Sequence, residues 1–93
     1  MASKEYIEQL QMVIWHLHKC RATHKETVPV KETFQGQTAW EGEVEVFEVN
    51  HPETDRCYAW ATAAGEFTAV IGIPPATTPL NAVKVAIAAA AKR

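Results

Sequence analysis

Residues 56–73 have the sequence RCYAWATAAGEFTAVIGI, in which two runs of strand-forming residues flank a break at Ala64-Gly65. Glycine adopts positive φ angles without steric cost, so this pattern predicts a β-hairpin that turns at Gly65. Because side chains alternate along a strand, a loop of two or four residues fixes which residues pair across it. The predicted pairs are Thr62–Phe67, Trp60–Ala69 and Tyr58–Ile71.

The two faces of this predicted hairpin differ in the size of their side chains. One face would carry Tyr58, Trp60, Thr62, Phe67, Ala69 and Ile71. The other would carry the smaller set Cys57, Ala59, Ala61, Thr68, Val70 and Gly72. Aromatic side chains bury the most area, so we expect the large face to be the core. The small face is then either solvated or a contact between subunits.

The remaining segments predict two helices and two further strands around this hairpin. A helix over residues 4 to about 22 begins at the N-cap Ser3, and a second begins at Pro79 with Thr78 as its cap. Strands are predicted over residues 28–34, at a sheet edge because Pro29 lacks a donor, and over 42–50. The order α-β-β-β-β-α predicts one α+β domain over residues 1–93. Its expected form is a four-stranded antiparallel meander with both helices packed on one face.

The strand predicted over residues 42–50 has an irregular hydrophobic pattern. Val44 and Val46 share one parity, whereas Phe47 and Val49 share the other. This shift predicts either a β-bulge near Val46-Phe47 or a strand buried on both faces at one end. The glutamates of this region, which we expect to form a solvated edge face, are Glu41, Glu43, Glu45 and Glu48.

Composition excludes several classes of function. The net charge is −2, and residues 41–55 contain six carboxylates without a Lys or Arg, which disfavours binding to nucleic acid. No apolar run approaches the ~18 residues of a membrane-spanning helix, so we expect no membrane association. The two cysteines do not form a disulfide framework, and free thiols predict a cytoplasmic protein.

The helix–three strands–helix portion is similar in element order to the double-stranded RNA-binding domain. That family uses a basic start to its last helix, whereas this position reads Thr78-Pro79-Leu80-Asn81 here. The extra first strand and the acidic second strand also differ from the family. We therefore do not extend its RNA-binding activity to this chain.

Two patterns suggest chemistry without establishing it. His16, Cys20 and His24 follow at steps of four residues, a spacing that can place zinc ligands on one side of a helix. The three drift around the helix axis, and no CxxC or HExxH motif supports them. Cys20 is more simply a small hydrophobic residue. We therefore predict no metal site and no cofactor.

A binding or catalytic site is the alternative function that the sequence leaves open. His51 lies in a polar loop where it is the imidazole best placed for general-base chemistry, and Tyr58 and Trp60 are aromatic neighbours in the fold. Trp15 lies on the polar side of the first helix, either as a partial cover for a loop or as an anchor for a partner.

The second helix is apolar on all sides, which indicates burial on more than one side. Its reverse side carries Ala82, Val85 and Ala89, the residues that we predict to contact a second copy. The sequence therefore predicts a cytoplasmic homodimer that acts as a protein-interaction module rather than as an enzyme. Substrate, ligand and partner are not encoded in any motif of this chain.

Overall fold

The computed structural model describes residues 3–62 and 65–91. The elements in chain order are α1 (Lys4–His18), β1 (Ala22–Phe34), β2 (Gln37–His51), β3 (Thr54–Ala61), β4 (Phe67–Ile71) and α2 (Pro79–Ala91). The strands form one sheet in the order β1-β2-β3-β4, with every neighbouring pair antiparallel. The predicted α+β class, four-stranded meander and element order are therefore confirmed, and Pro29 lies in an edge strand as expected.

The register of the β3–β4 hairpin differs from the prediction by one residue. The observed pairs include Ala61–Phe67, Trp60–Thr68 and Tyr58–Val70, so residues 62–66 form a five-residue loop. Within it Gly65 has the expected positive φ of 81°, and its N–H donates to the Thr62 carbonyl at 2.9 Å. Ala64 lies outside the described residues. The odd-length loop mixes the large and small sets that the predicted register had kept apart.

The two helices lie on opposite faces of the sheet, whereas the sequence predicted both on one face. The observed register is consistent with this arrangement. On β3, Cys57 and Ala59 pack with Leu10 and Ile14 of α1. The alternate residues Tyr58 and Trp60 pack on the other side with α2. Because each face carries large side chains, each requires its own cover.

The core of the α2 face is formed by Val44 and Val46 of β2, Tyr58 and Trp60 of β3, and Ala82 and Val83 of α2.

Both helix starts are capped as predicted, since the Tyr6 N–H donates to Ser3 Oγ at 3.1 Å and the Asn81 N–H to Thr78 Oγ1 at 3.1 Å. No helix within the described ranges combines the length and the hydropathy that a membrane crossing requires.

Helix α1 ends at His18, four residues before the predicted end near residue 22. Lys19 adopts the left-handed conformation with φ 55°, and its N–H donates to the Trp15 carbonyl. This is a common way for a helix to stop. Strand β1 consequently begins at Ala22 and not at Val28.

The β1–β2 hairpin contains two register shifts, and one of them lies opposite the predicted irregularity. Val44 to Phe47 are all buried, so β2 is buried on both faces here without a bulge between Val46 and Phe47, and its register shift against β3 lies further on, between Glu48 and His51. The shift opposite this segment is in β1, where His24 pairs with Phe47 but Glu26 pairs with Val46. Lys25 is therefore an extra residue in β1. At the other end the chain turns through Gln35 and Gly36, both with positive φ.

Candidate functional site

The outer side of α1 carries an exposed apolar pair. Met12 is 61% and Trp15 51% exposed, although both are large hydrophobic side chains. Glu8 and Lys19, which are also exposed, lie one turn beyond this pair at either end. The steps of four and three residues place Glu8, Met12 and Trp15 on one side of the helix, and Lys19 is the C-cap residue that follows, four positions after Trp15. We call Glu8, Met12, Trp15 and Lys19 the α1 stripe.

A groove of about 640 Å³ runs beside the α1 stripe. Its lining residues are Glu8, Gln11, Met12, Trp15, His16, Cys20, Arg21 and Ala22. The Gln11 side chain donates to the Ala22 carbonyl at 2.9 Å, which fixes α1 against the start of β1. The indole of Trp15 thus stands at the wall of a preformed depression, in the position that the sequence allowed for an anchor residue.

A buried carboxylate lies on the α1 face of the sheet. Glu45 is 1% exposed, contrary to the prediction that the whole glutamate row is solvated; Glu41, Glu43 and Glu48 are exposed as expected. The His24 Nε2–H donates to Glu45 Oε1 at 2.7 Å, and the Thr27 hydroxyl donates to the same oxygen. These charge-assisted hydrogen bonds satisfy one oxygen of a side chain that is costly to bury.

Strands β2 and β3 separate just beyond this carboxylate. Their last pair is Glu45–Ala59, and the Ala61 N–H donates instead to the Tyr6 hydroxyl at 2.9 Å. Burial raises the pKa of the Tyr6 phenol, the hydrogen bond from Ala61 lowers it, and the Glu45 and Glu43 carboxylates raise it further. The phenol therefore stays protonated at neutral pH.

The separation leaves a cleft of about 540 Å³. Its lining residues are Tyr6, Thr38, Ala39, Trp40, Glu41, Gly42, Glu43, Glu45, Ala61 and Thr62. Every charged side chain among them is a carboxylate. The Trp40 ring also packs edge-to-face on Trp60, with centroids 5.9 Å apart, and so forms the boundary with the α2 face.

The structure does not assemble His51, Tyr58 and Trp60 into one of these cavities. His51 lies at the β2–β3 turn, where its Nδ1 accepts the Glu53 N–H at 3.1 Å. Tyr58 donates its hydroxyl to the Thr77 carbonyl at 3.0 Å and lines a depression beside Arg56. Trp60 lines a different one, of about 400 Å³, between α2 and β4. The general-base arrangement that the sequence left open therefore has no geometric support.

The three residues predicted to contact a second copy are placed differently. Ala82 is 0% exposed and packs against the sheet of its own chain, so it is not available to a partner. Val85 is half-buried and Ala89 is exposed. Ala82 faces the sheet together with Val83, whereas Leu80 is partly exposed, so the reverse side of α2 does not begin at Ala82 as predicted.

The weak metal candidates are also not gathered together. His16 is exposed on α1, Cys20 is buried beyond the end of that helix, and His24 is bonded to Glu45 in β1. Within residues 3–62 and 65–91, no group of three or more His, Cys, Asp or Glu side chains is arranged to hold a metal ion.

The two cysteines are free, buried thiols. Burial raises the pKa of the Cys57 thiol to about 12, with a further contribution from nearby Cys20. Burial also raises the pKa of Cys20. A thiol that stays protonated is a poor nucleophile. Both cysteines therefore serve as small core residues.

Sequence reasoning missed the most distinctive polar residues of the structure, Glu45 and Tyr6. A signal for Glu45 was present, since it lies between Val44 and Val46 in the segment that the pattern allowed to be buried on both faces. Tyr6 was assigned only to the apolar stripe of its helix. Comparisons with protein-family models, with curated proteins and with solved structures gave no match.

Proposed function

We propose that this chain is a protein-interaction module that self-associates through the α1 stripe as a two-fold symmetric dimer. The observation that carries the proposal is the exposed pair Met12 and Trp15, bounded on one side by a negative and on the other by a positive charge. Tryptophan is enriched among the residues that dominate binding energy, and an exposed apolar patch on a small domain marks an interaction surface.

The order of side chains along the α1 stripe matches a second copy of itself. Glu8 lies four residues before Met12, and Lys19 lies four residues after Trp15. In an antiparallel pair of α1 helices, the two-fold axis would pass between Met12 and Trp15. Each Trp15 would then cover Met12 of the partner subunit, and each Glu8 would face Lys19 of the partner subunit. A two-fold interface requires this kind of self-complementarity.

A parallel arrangement of the same helices is disfavoured. It would place Glu8 against its own copy and Lys19 against its own copy, and like charges in contact are destabilising. The groove beside Trp15 adds area at the edge of the contact. An interface confined largely to one helix of 15 residues is at the small end of specific interfaces, below ~1,200 Å² in total. We therefore expect a reversible dimer that dissociates on dilution.

This proposal moves the contact from α2 to α1 but keeps the predicted homodimer. A role as a binding module and not as an enzyme fits the protonated thiols and the dispersed imidazoles. A cytoplasmic location is part of the same proposal, since two free thiols are expected in a reducing compartment.

Sedimentation equilibrium across a dilution series tests the proposal directly. We expect a monomer–dimer equilibrium in the natural chain and a monomer in Trp15→Ala. Glu8→Lys or Lys19→Glu alone should weaken the dimer, and the two changes together should restore it. Gln9→Lys is the control for an added lysine, because it places that side chain about 100° around the helix from Glu8.

Two results would contradict this assignment. One is a chain that stays monomeric at the highest soluble concentration. The other is a dimer that survives Trp15→Ala but is lost in Ala89→Glu, which would return the contact to α2. Circular dichroism of each variant separates a lost interface from a lost fold.

A further inference from the structure

The cleft between β2 and β3 leaves part of a sheet edge without a neighbouring strand. Beyond the last pair, Glu45–Ala59, strand β2 continues through residues 37–44 and pairs there with β1 on its other side. On the β3 side, the residues after Ala59, including Ala61, have no pairing partner in residues 37–44 of β2. The N–H and C=O groups on this side of residues 37–44 therefore face the cleft and not a strand.

Tyr6 holds the two strands apart. Its hydroxyl accepts the Ala61 N–H at 2.9 Å, the position that a β2 carbonyl would occupy if the ladder continued. The ring is kept in place by Phe67 of β4, with centroids 6.3 Å apart. The β3 side of the cleft is thus satisfied by a side chain, whereas the β2 side retains its unpaired backbone groups.

The side chains along the open edge repeat with the period of an extended strand. Glu41, Glu43 and Glu45 lie at alternate positions on the α1 face and all line the cleft. Alternate residues of a strand are spaced ~6.6 Å apart, so the carboxylates form a row along the edge. Neither Lys, Arg nor His is among the residues that line the cleft.

The inner end of the row provides an observation independent of the charge count. Glu45 is 1% exposed, and both of its hydrogen bonds, from His24 and Thr27, go to Oε1. Its second oxygen, Oε2, accepts no hydrogen bond from the part of the chain that the structure describes. A cationic donor brought into the cleft can form a charge-assisted hydrogen bond to this oxygen.

We propose that the cleft binds an extended peptide segment of a partner protein, with Lys or Arg at alternate positions, as an additional strand on residues 37–44 of β2. Backbone hydrogen bonds to the open edge supply affinity, and the carboxylate row selects the basic side chains. The alternation of the carboxylates matches an extended peptide rather than a small free cation. A second copy of β2 at this edge is disfavoured because two rows of glutamates would meet.

Calorimetric titration with a blocked peptide of alternating lysine and threonine, long enough to span residues 37–44, tests the proposal. We expect binding that weakens as salt is added, and none by a peptide of alternating glutamate and threonine. Glu43→Gln should weaken binding ~2–5-fold, the range of an exposed ion pair. Glu48→Gln is the matched control, since it makes the same charge change on β2 but outside the cleft, and it should leave the Kd unchanged.

Two further probes separate strand addition from simple charge attraction. A lysine–threonine peptide with alternate backbone nitrogens methylated, on the side that would face β2, should lose binding. Spermidine should bind much more weakly than the unmodified peptide. In amide hydrogen exchange, alternate amides of residues 37–44 should become protected when the peptide is bound.

The outcomes that would overturn the proposal are equally specific. Absence of binding by the unmodified peptide would overturn it. Equal binding by the methylated peptide or by spermidine would show a site for organic cations and not a strand acceptor. Because these readouts do not involve the α1 stripe, they remain interpretable in the Trp15→Ala variant.

Discussion

Each face of the sheet is covered by one helix, and the fully buried charged side chain within residues 3–62 and 65–91, Glu45, lies on the α1 face. On the α2 face the contacts of Val44, Val46 and Trp60 with the helix are apolar. On the α1 face Phe47 and Cys57 lie beside Glu45, which depends on donors from β1. The comparison shows that the α2 face is held mainly by apolar packing, with the Tyr58–Thr77 hydrogen bond and the Lys84–Glu32 ion pair beside it, whereas the α1 face also depends on polar contacts to a buried carboxylate.

The largest expected effect is the loss of stability when a large core side chain is removed from either face. Trp60→Ala on the α2 face and Phe47→Ala on the α1 face should each lower the free energy of unfolding by about 3–5 kcal/mol. Urea denaturation gives this quantity. Trp15→Ala is the control, because a change at an exposed site should stay within about 0.5 kcal/mol when measured on the diluted monomer. A loss below 1 kcal/mol for Phe47 or Trp60 would contradict the assignment of that face to the core.

The polar network of the α1 face should show measurable energetic coupling between its side chains. Glu45→Leu leaves the His24 N–H and the Thr27 hydroxyl without their acceptor, so we expect a loss of about 1–3 kcal/mol. Adding Thr27→Val should recover part of this loss, because both partners are then apolar. A double-mutant cycle from thermal or urea unfolding measures the coupling. Strict additivity would mean that the hydrogen bond from Thr27 contributes nothing to stability.

A further difference between the two faces should appear as a dependence of stability on pH. Burial raises the pKa of Cys57 from 9.0 in the unfolded chain to about 12 in the folded one. The folded chain therefore holds this proton more tightly, and stability should fall as the pH rises from 9 towards 12, by up to ~1 kcal/mol per pH unit. Cys57→Ala should flatten this decline, leaving the contribution of the tyrosines. An unchanged slope in that variant would place the titration elsewhere.

Local signals in the sequence were sufficient for the features that depend on neighbouring residues. Ser3 and Thr78 cap their helices as expected, because capping involves the next three residues only. The turn at Gly65 was also identified by the freedom of glycine to adopt a positive φ. These features together fixed the class and order of elements.

The features that the sequence did not predict depend on the length of a loop or on residues far apart in the chain. Whether the β3–β4 loop has four or five residues decides which face Trp60 and Phe67 occupy, and nothing local distinguishes the two. This difference of one residue in loop length accompanies the placement of the two helices on opposite faces and not on one. The hydrogen bond between His24 and Glu45 spans 21 positions of the chain, so no spacing pattern could reveal it.

The extra residue in β1 has a consequence for how this protein tolerates change. His24 and Thr27 are three apart and would point to opposite sides of an unbroken strand, but Lys25 resets the alternation so that both reach Glu45. The identity of Lys25 is unimportant to this arrangement, since its own side chain is exposed. Its existence is what matters. Substitutions of Lys25 should therefore be tolerated during evolution. Deletion of this one residue would instead exchange the two faces on which the side chains of residues 22–24 lie.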